Sequence, residues 1–152
     1  MYPIRLIVVG KPKAEPIILL EKHYKKLIRP YARLEVIEIP EGKGQHTRQL
    51  LDEAARIKNA LSGFQRPVLL SATGQQSSSE EFASWLGSRM DSGESLAFAI
   101  GSSHGFHPSL NAEISERVAL SAMTFPHDLC RIMFLEQLYR AFAILRGGAY
   151  HK

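Results

Sequence analysis

With 152 residues, 45% of them hydrophobic and 22% charged, the chain has the size and composition of one ordinary globular domain, and disorder is not expected. Nineteen Lys and Arg against 15 Asp and Glu give a formal net charge of +4, a modest lean toward a polyanionic partner such as RNA. The single cysteine, Cys130, excludes an internal disulfide and a cysteine-based zinc site.

Apolar runs such as Leu6 to Val9 fall far short of the roughly 20 residues of a membrane span. Met1 to Arg5 has no pattern of a secretion signal. A reduced, cytoplasmic setting without a membrane partner is therefore expected.

Tyr2 to Val9 is a β-branched run ending at Gly10-Lys11, which predicts a first strand and a turn. Pro16 suits the first turn of a helix whose apolar spacing runs from Ile17 to Ile28. Lys22, His23, Lys25, Lys26 and Arg29 decorate its other faces, ordinarily a solvated surface and otherwise an RNA patch. Leu34 to Ile39 alternates apolar and acidic residues, as a half-exposed strand does. A flexible loop, Pro40 to His46, precedes helix spacing from Thr47 to Leu61. Pro67 to Leu70 predicts a short buried strand, with a turn at Ser71 to Gly74.

Ser78 and Glu81 have the spacing of a capping box, so the serine run at 77–79 is explained by helix initiation rather than catalysis. Phe82, Trp85, Leu86 and Met90 form that helix's buried stripe, and Gly93 ends it. A strand at Ser95 to Ile100, a short helix at Pro108 to Glu116 and a short strand at Val118 to Leu120 follow. Strands alternate with helices throughout, which predicts a single α/β domain over 1–152: a mainly parallel sheet covered by helices.

In such sheets ligands gather at the carboxyl ends of the strands. Three loops there, 70–75, 101–106 and 121–126, are rich in Gly, Ser, Ala or Thr, whose small side chains let backbone groups approach a ligand. Any one of them taken alone reads as an ordinary turn. No GxGxxG or GxxxxGK[ST] pattern occurs, which argues against a dinucleotide oxidoreductase or a P-loop. His104 and His107 are three apart but have no nearby carboxylate partner, so no metal site is expected. His127, after Pro126, has either a capping role or one in shaping the ligand loop. Cys130 sits in an apolar helical run and reads as core.

The last helix, Leu129 to Arg146, is apolar on more than one face, as expected of a helix at the centre of a domain or at a subunit contact. Glu136 and Arg140 are four apart in the favourable order for an ion pair. The alternative use of Arg131 or Arg140 is contact with an anionic substrate. The tail Ala149-Tyr150-His151-Lys152 carries ionisable groups and contributes no obvious core; an unattached end is the plain reading.

Phe125-Pro126-His127, Arg131, the run Glu136 to Ala141 and the ending Tyr150-His151-Lys152 resemble the RlmH (YbeA) family. The likeness extends to Val9-Gly10-Lys11, Ile39 to Lys43, Leu70 with Gly74, Ser79 to Ala83, and Ile100-Gly101. The C-terminal block is the specific part. The resemblance implies a small SPOUT-class methyltransferase with a C-terminal trefoil knot, acting as a homodimer. It further implies methyl transfer from S-adenosyl-L-methionine to N3 of a pseudouridine in large-subunit rRNA of assembled ribosomes. Its cofactor positions fall on Leu70, Ser102 and Ser121, Ala122, Met123, Thr124, Phe125 and Pro126.

On this reading Tyr150, His151 and Arg140 are the catalytic candidates, and Arg131 and His127 would contact substrate. Two positions depart from the family: Ser102 where a second glycine is usual, and Ser71 where aspartate is common. They support one rival, a non-catalytic ribosome-binding factor of the same fold. A SPOUT methyltransferase acting on a tRNA ribose is the other.

Overall fold

The computed structural model describes residues 1–151. Its elements are β1 (Tyr2–Val9), α1 (Glu15–Ile28), β2 (Ala32–Ile39), α2 (His46–Leu61), β3 (Arg66–Gln76), α3 (Ser79–Asp91), β4 (Leu96–Ile100), α4 (Pro108–Glu113), β5 (Arg117–Ala119) and α5 (His127–Leu145). The five strands form one sheet in the order β2-β1-β4-β3-β5, and every pairing is parallel. Helices cover both faces, which is why β1 and β4 read as near-continuous apolar runs.

β4 is buried at every position, and its alternation sorts the two cores. Leu96, Phe98 and Ile100 face α1, α3 and α5, with Phe134, Leu135, Leu138 and Phe142. Ala97 and Ala99 face the other side, with Ile57 and Leu61 of α2 and Leu110 of α4. The large residues of β4 thus lie under the longest helix, α5, where the Phe98 and Phe134 rings are 4.7 Å apart. Burying each such aromatic or leucine stabilises the fold by about 1.5–3 kcal/mol. α5 packs against both α1 and α3, as its apolar circumference predicts.

The capping box on α3 is present: Ser78 Oγ accepts from the Glu81 N–H, and Glu81 Oε1 accepts from the Ser78 N–H. Two boundaries differ from expectation. α4 stops at Glu113, because the Glu116 carbonyl accepts from the Leu69 N–H at 3.0 Å and draws this segment into the sheet.

β3 does not end at Leu70 but continues to Gln76. Its register on β5 jumps: Leu70 and Gln75 both pair with Val118, so residues 71–74 bulge out of the ladder. Gly74 makes the bulge sterically feasible, since a Cβ there would lie 2.8 Å from the Arg117 and Val118 backbone. The expected turn is a bulge inside a strand, and it forms one wall of the main cavity.

Candidate active site

The cavity lies at the carboxyl ends of β3, β4 and β5 and has a volume of about 540 Å³. All three small-residue loops reach it. Leu70, Ser102, Ser121, Met123, Thr124, Phe125 and Pro126 line it, as does His127; Ala122 does not, and is exposed. Ile100, Phe106 and Leu120 complete an apolar floor. Gly101 is required here: a Cβ would sit 2.7 Å from the Gly105 carbonyl oxygen. Cys130 also faces the cavity, which the core reading missed, while burial pushes its thiol pKa up and keeps it protonated.

Ser102 does not direct its hydroxyl at the cavity space. The Oγ donates to Glu53 Oε1 at 2.9 Å, and Glu53 is only 1% exposed. The same carboxylate accepts from the Gly42 N–H at 2.9 Å and from Gln49 Nε2 at 3.2 Å. Three donors thus satisfy a buried anion and tie the loops after β2 and β4 together. Glu53 escaped the sequence reading. Its signal was position, since it sits on the same α2 stripe as Leu50, Ile57 and Leu61, where an unpaired carboxylate is not tolerated.

Arg131 corrects an expectation. It has no exposed surface, and its guanidinium lies 3.2 Å from Glu38, 3.3 Å from Glu21 and 3.2 Å from the Gly10 carbonyl. It locks α5 to α1, to β2 and to the turn after β1, and offers nothing to a substrate. His127 makes no capping bond at the α5 N-terminus; its Nε2 lies 3.4 Å from Asp128.

The tail is not free. The Tyr150 hydroxyl donates to Glu136 Oε1 at 3.2 Å, and the same oxygen accepts from Arg140 Nε at 3.0 Å. The Arg140 guanidinium lies 4.8 Å from the centre of the Tyr150 ring. His151 Nδ1 is 3.1 Å from Arg140 Nη1, and its Nε2 is 2.5 Å from Glu80 Oε1. Arginine only donates, so Nδ1 accepts and Nε2 carries the proton given to Glu80. Desolvation first, then the Glu136 carboxylate, pushes the Tyr150 pKa up to about 12.

Tyr150, His151 and Arg140 are therefore brought together, with the tail held against α5 and α3 rather than at the lining of the cavity. Glu136 borders a second depression of about 400 Å³, between the start of α3, β5 and α5. Leu120 lines both. His104 and His107 also separate: His107 caps α4 by accepting from the Ser109 N–H, while His104 touches His46. Among the described residues no three His, Cys, Asp or Glu side chains cluster as metal ligands, and no helix is long and apolar enough to cross a membrane.

Comparison with known proteins fits this geometry. The family model described as "Predicted SPOUT methyltransferase" matches residues 2–151. The chain belongs to the SPOUT methyltransferase family. Among curated relatives, the ribosomal RNA large subunit methyltransferase H of Symbiobacterium thermophilum is 38% identical, covering 98% of this chain and 99% of the relative. The protein of the same name from Thermodesulfovibrio yellowstonii is 36% identical, over 99% of each. The crystal structure of TrmJ from Z. mobilis ZM4 shares the fold at a TM-score of 0.54, with 9% identity, over 93% of this chain and 70% of that one. In this SPOUT methyltransferase the C-terminal region, 121–126 with α5, supplies both a cavity wall and the core helix.

Proposed function

We propose that this methyltransferase transfers a methyl group from S-adenosyl-L-methionine to N3 of a pseudouridine in large-subunit rRNA of assembled ribosomes, working as a homodimeric single-domain protein with a C-terminal trefoil knot. The observation that carries the reading is the convergence of three loops, distant in sequence, on one cavity. The names of the full-length relatives support large-subunit rRNA as the substrate.

The cavity fits the cofactor. Its volume lies within the usual 300–1,000 Å³ of small-molecule sites, and its mix of apolar floor and small-residue rim suits a purine and ribose. Leu70, Ile100 and Phe106 would flank the base, and the 121–126 backbone would hold the polar groups. When bound, the cofactor supplies an electrophilic methyl on a sulfonium. The protein's task is then alignment of donor and acceptor and removal of the acceptor's proton.

His151 with Tyr150 is the candidate for that proton, since the imide N3 is a poor nucleophile while protonated. In the clasp the His151 Nδ1 lone pair faces Arg140. Release of the tail frees it, and Arg140 remains fixed on Glu136 as a nearby positive charge. His127 would contact substrate from the cavity rim. Ser102 was the main support for a non-catalytic factor; its hydroxyl is taken up by Glu53, which weakens that rival. Support for the dimer is the run Ile18, Leu19 and Leu20, at 41%, 57% and 41% exposure on α1.

Mass spectrometry of ribosomal RNA from cells with and without the gene tests target and position together. One methylated pseudouridine should disappear from large-subunit rRNA in the deletion. An unchanged rRNA would remove the proposal, and methylation lost from tRNA instead would favour the tRNA reading.

A further inference from the structure

The cavity is electrostatically lopsided. The loops at the ends of β1 and β2, residues 10–14 and 40–45, together with the first turn of α2, carry Lys11, Lys13, Lys43 and Arg48 against one carboxylate, Glu41. All four cations are exposed, and among the described residues none takes part in an ion pair. The other bank, 71–78 and 120–126, is built from small polar residues with Leu120, Met123, Phe125 and Pro126, and has no charged residue.

The opposite end of the molecule, at the amino ends of β3 and β4, is different again. There Lys58 lies 2.7 Å from Glu113, Arg66 lies 2.8 Å from Glu94, and Arg89 lies 3.5 Å from Glu94. Among the described residues Lys22, Lys25 and Lys26 of α1 are unpaired as well, so what distinguishes the four cations is that they sit beside the cavity.

The cationic loops abut the cavity. The Gly10 N–H donates to the Ile39 carbonyl at 2.7 Å, joining the two loops. His46, at the start of α2, touches His104 in the loop that forms the cavity wall. Gly42 is tied through Glu53 to Ser102.

We infer that the β1 and β2 loops, with the first turn of α2, form the docking surface for the sugar–phosphate backbone of the RNA, with Lys11, Lys13, Lys43 and Arg48 as its phosphate contacts. The inference rests on the rRNA reading above. Unpaired exposed lysines contact phosphates without sequence preference and fix the register of the strand. The acceptor base then enters the cavity from the side of α2, while the uncharged bank faces the cofactor. The basic residues of α1 (Lys22, Lys25, Lys26) lie on another surface and take no part.

The test compares K11A/K43A with K22A/K25A/K26A. The probe is ribosomes purified from a bacterial strain lacking its own copy of this methyltransferase, with binding measured across a salt series. Removing two phosphate contacts should flatten the plot of log affinity against log salt by about 2 and weaken binding at every salt concentration. The α1 variant, despite losing more charge, should match the parent. Calorimetry should show both variants binding S-adenosyl-L-methionine like the parent. A larger loss in the α1 variant, or no loss in K11A/K43A, overturns the surface. A parent that binds ribosomes through these lysines but methylates nothing overturns the rRNA-methylation reading and leaves the surface standing. A parent that methylates normally, with the same KM for ribosomes as K11A/K43A, does the reverse.

Discussion

Arg131 and the tail show how one residue's setting decides its role. In sequence Arg131 is a cation next to a ligand loop, and nothing local distinguishes a substrate contact from a structural one. Its partners, Glu21 and Glu38, lie 110 and 93 positions away and meet it only through the fold. Replacing it with Ala should cost about 3 kcal/mol, because two half-buried carboxylates would lose their counter-charge. Denaturant unfolding measures this. A loss of activity at unchanged stability would mean the residue acts on substrate after all. The tail makes a second prediction. Tyr150 has a folded pKa raised from 10.0 to about 12, so its share of the clasp is present below pH 10 and disappears as pH rises through about 12. The Glu80 pKa is lowered, first by the His151 hydrogen bond, so its share is present above the carboxylate range and lost on acidification. Carbon NMR of the Tyr150 ring should titrate near pH 12 in the parent and lower in E136Q, which removes the carboxylate but leaves the desolvation.

At the scale of elements, most of the architecture was legible. The alternation of short β-branched runs with 3.6-period segments announced a parallel sheet, and Ser78 with Glu81 announced the start of α3. What was not legible were features set by pairing across the sheet. β3 looked finished at Leu70, since Ser71 to Gly74 has turn composition; only β5 beside it shows a bulge. Likewise Glu53 stands out in sequence only by its place on the apolar stripe of α2, and its partners appear only when α2 is laid against the loop after β4. The bulge carries its own prediction. Gly74→Ala should force the backbone of β5 away, because the added methyl would meet it at 2.8 Å. Ser71 and Ala72, which line the cavity, should move with it. Lower thermal stability accompanied by weaker S-adenosyl-L-methionine binding in calorimetry is expected. Stability lost with cofactor affinity intact would detach the bulge from the site.

For the whole molecule, the central fact is that the catalytic candidates and the cavity proposed for the cofactor do not meet within this chain. Tyr150 and His151 are held by Glu136, Arg140 and Glu80, while the cavity opens at the carboxyl ends of β3, β4 and β5. A second copy of the chain offers a reason for the arrangement. α1 exposes Ile18, Leu19 and Leu20 in succession, and its Tyr24 borders the depression that also contains Glu136, the anchor of the tail. Docking there would bury the apolar run and press on the clasp at the same time, so that assembly and release of the tail become one event. L19E/L20E should then sediment as a monomer. Both side chains are exposed, so the variant should retain the parent's fold by circular dichroism. It should bind S-adenosyl-L-methionine, since the proposed cofactor cavity lies elsewhere, yet fail to methylate ribosomes. A monomeric variant with full methylation would show that one chain completes the site alone, and a variant that remains dimeric would place the contact on another face.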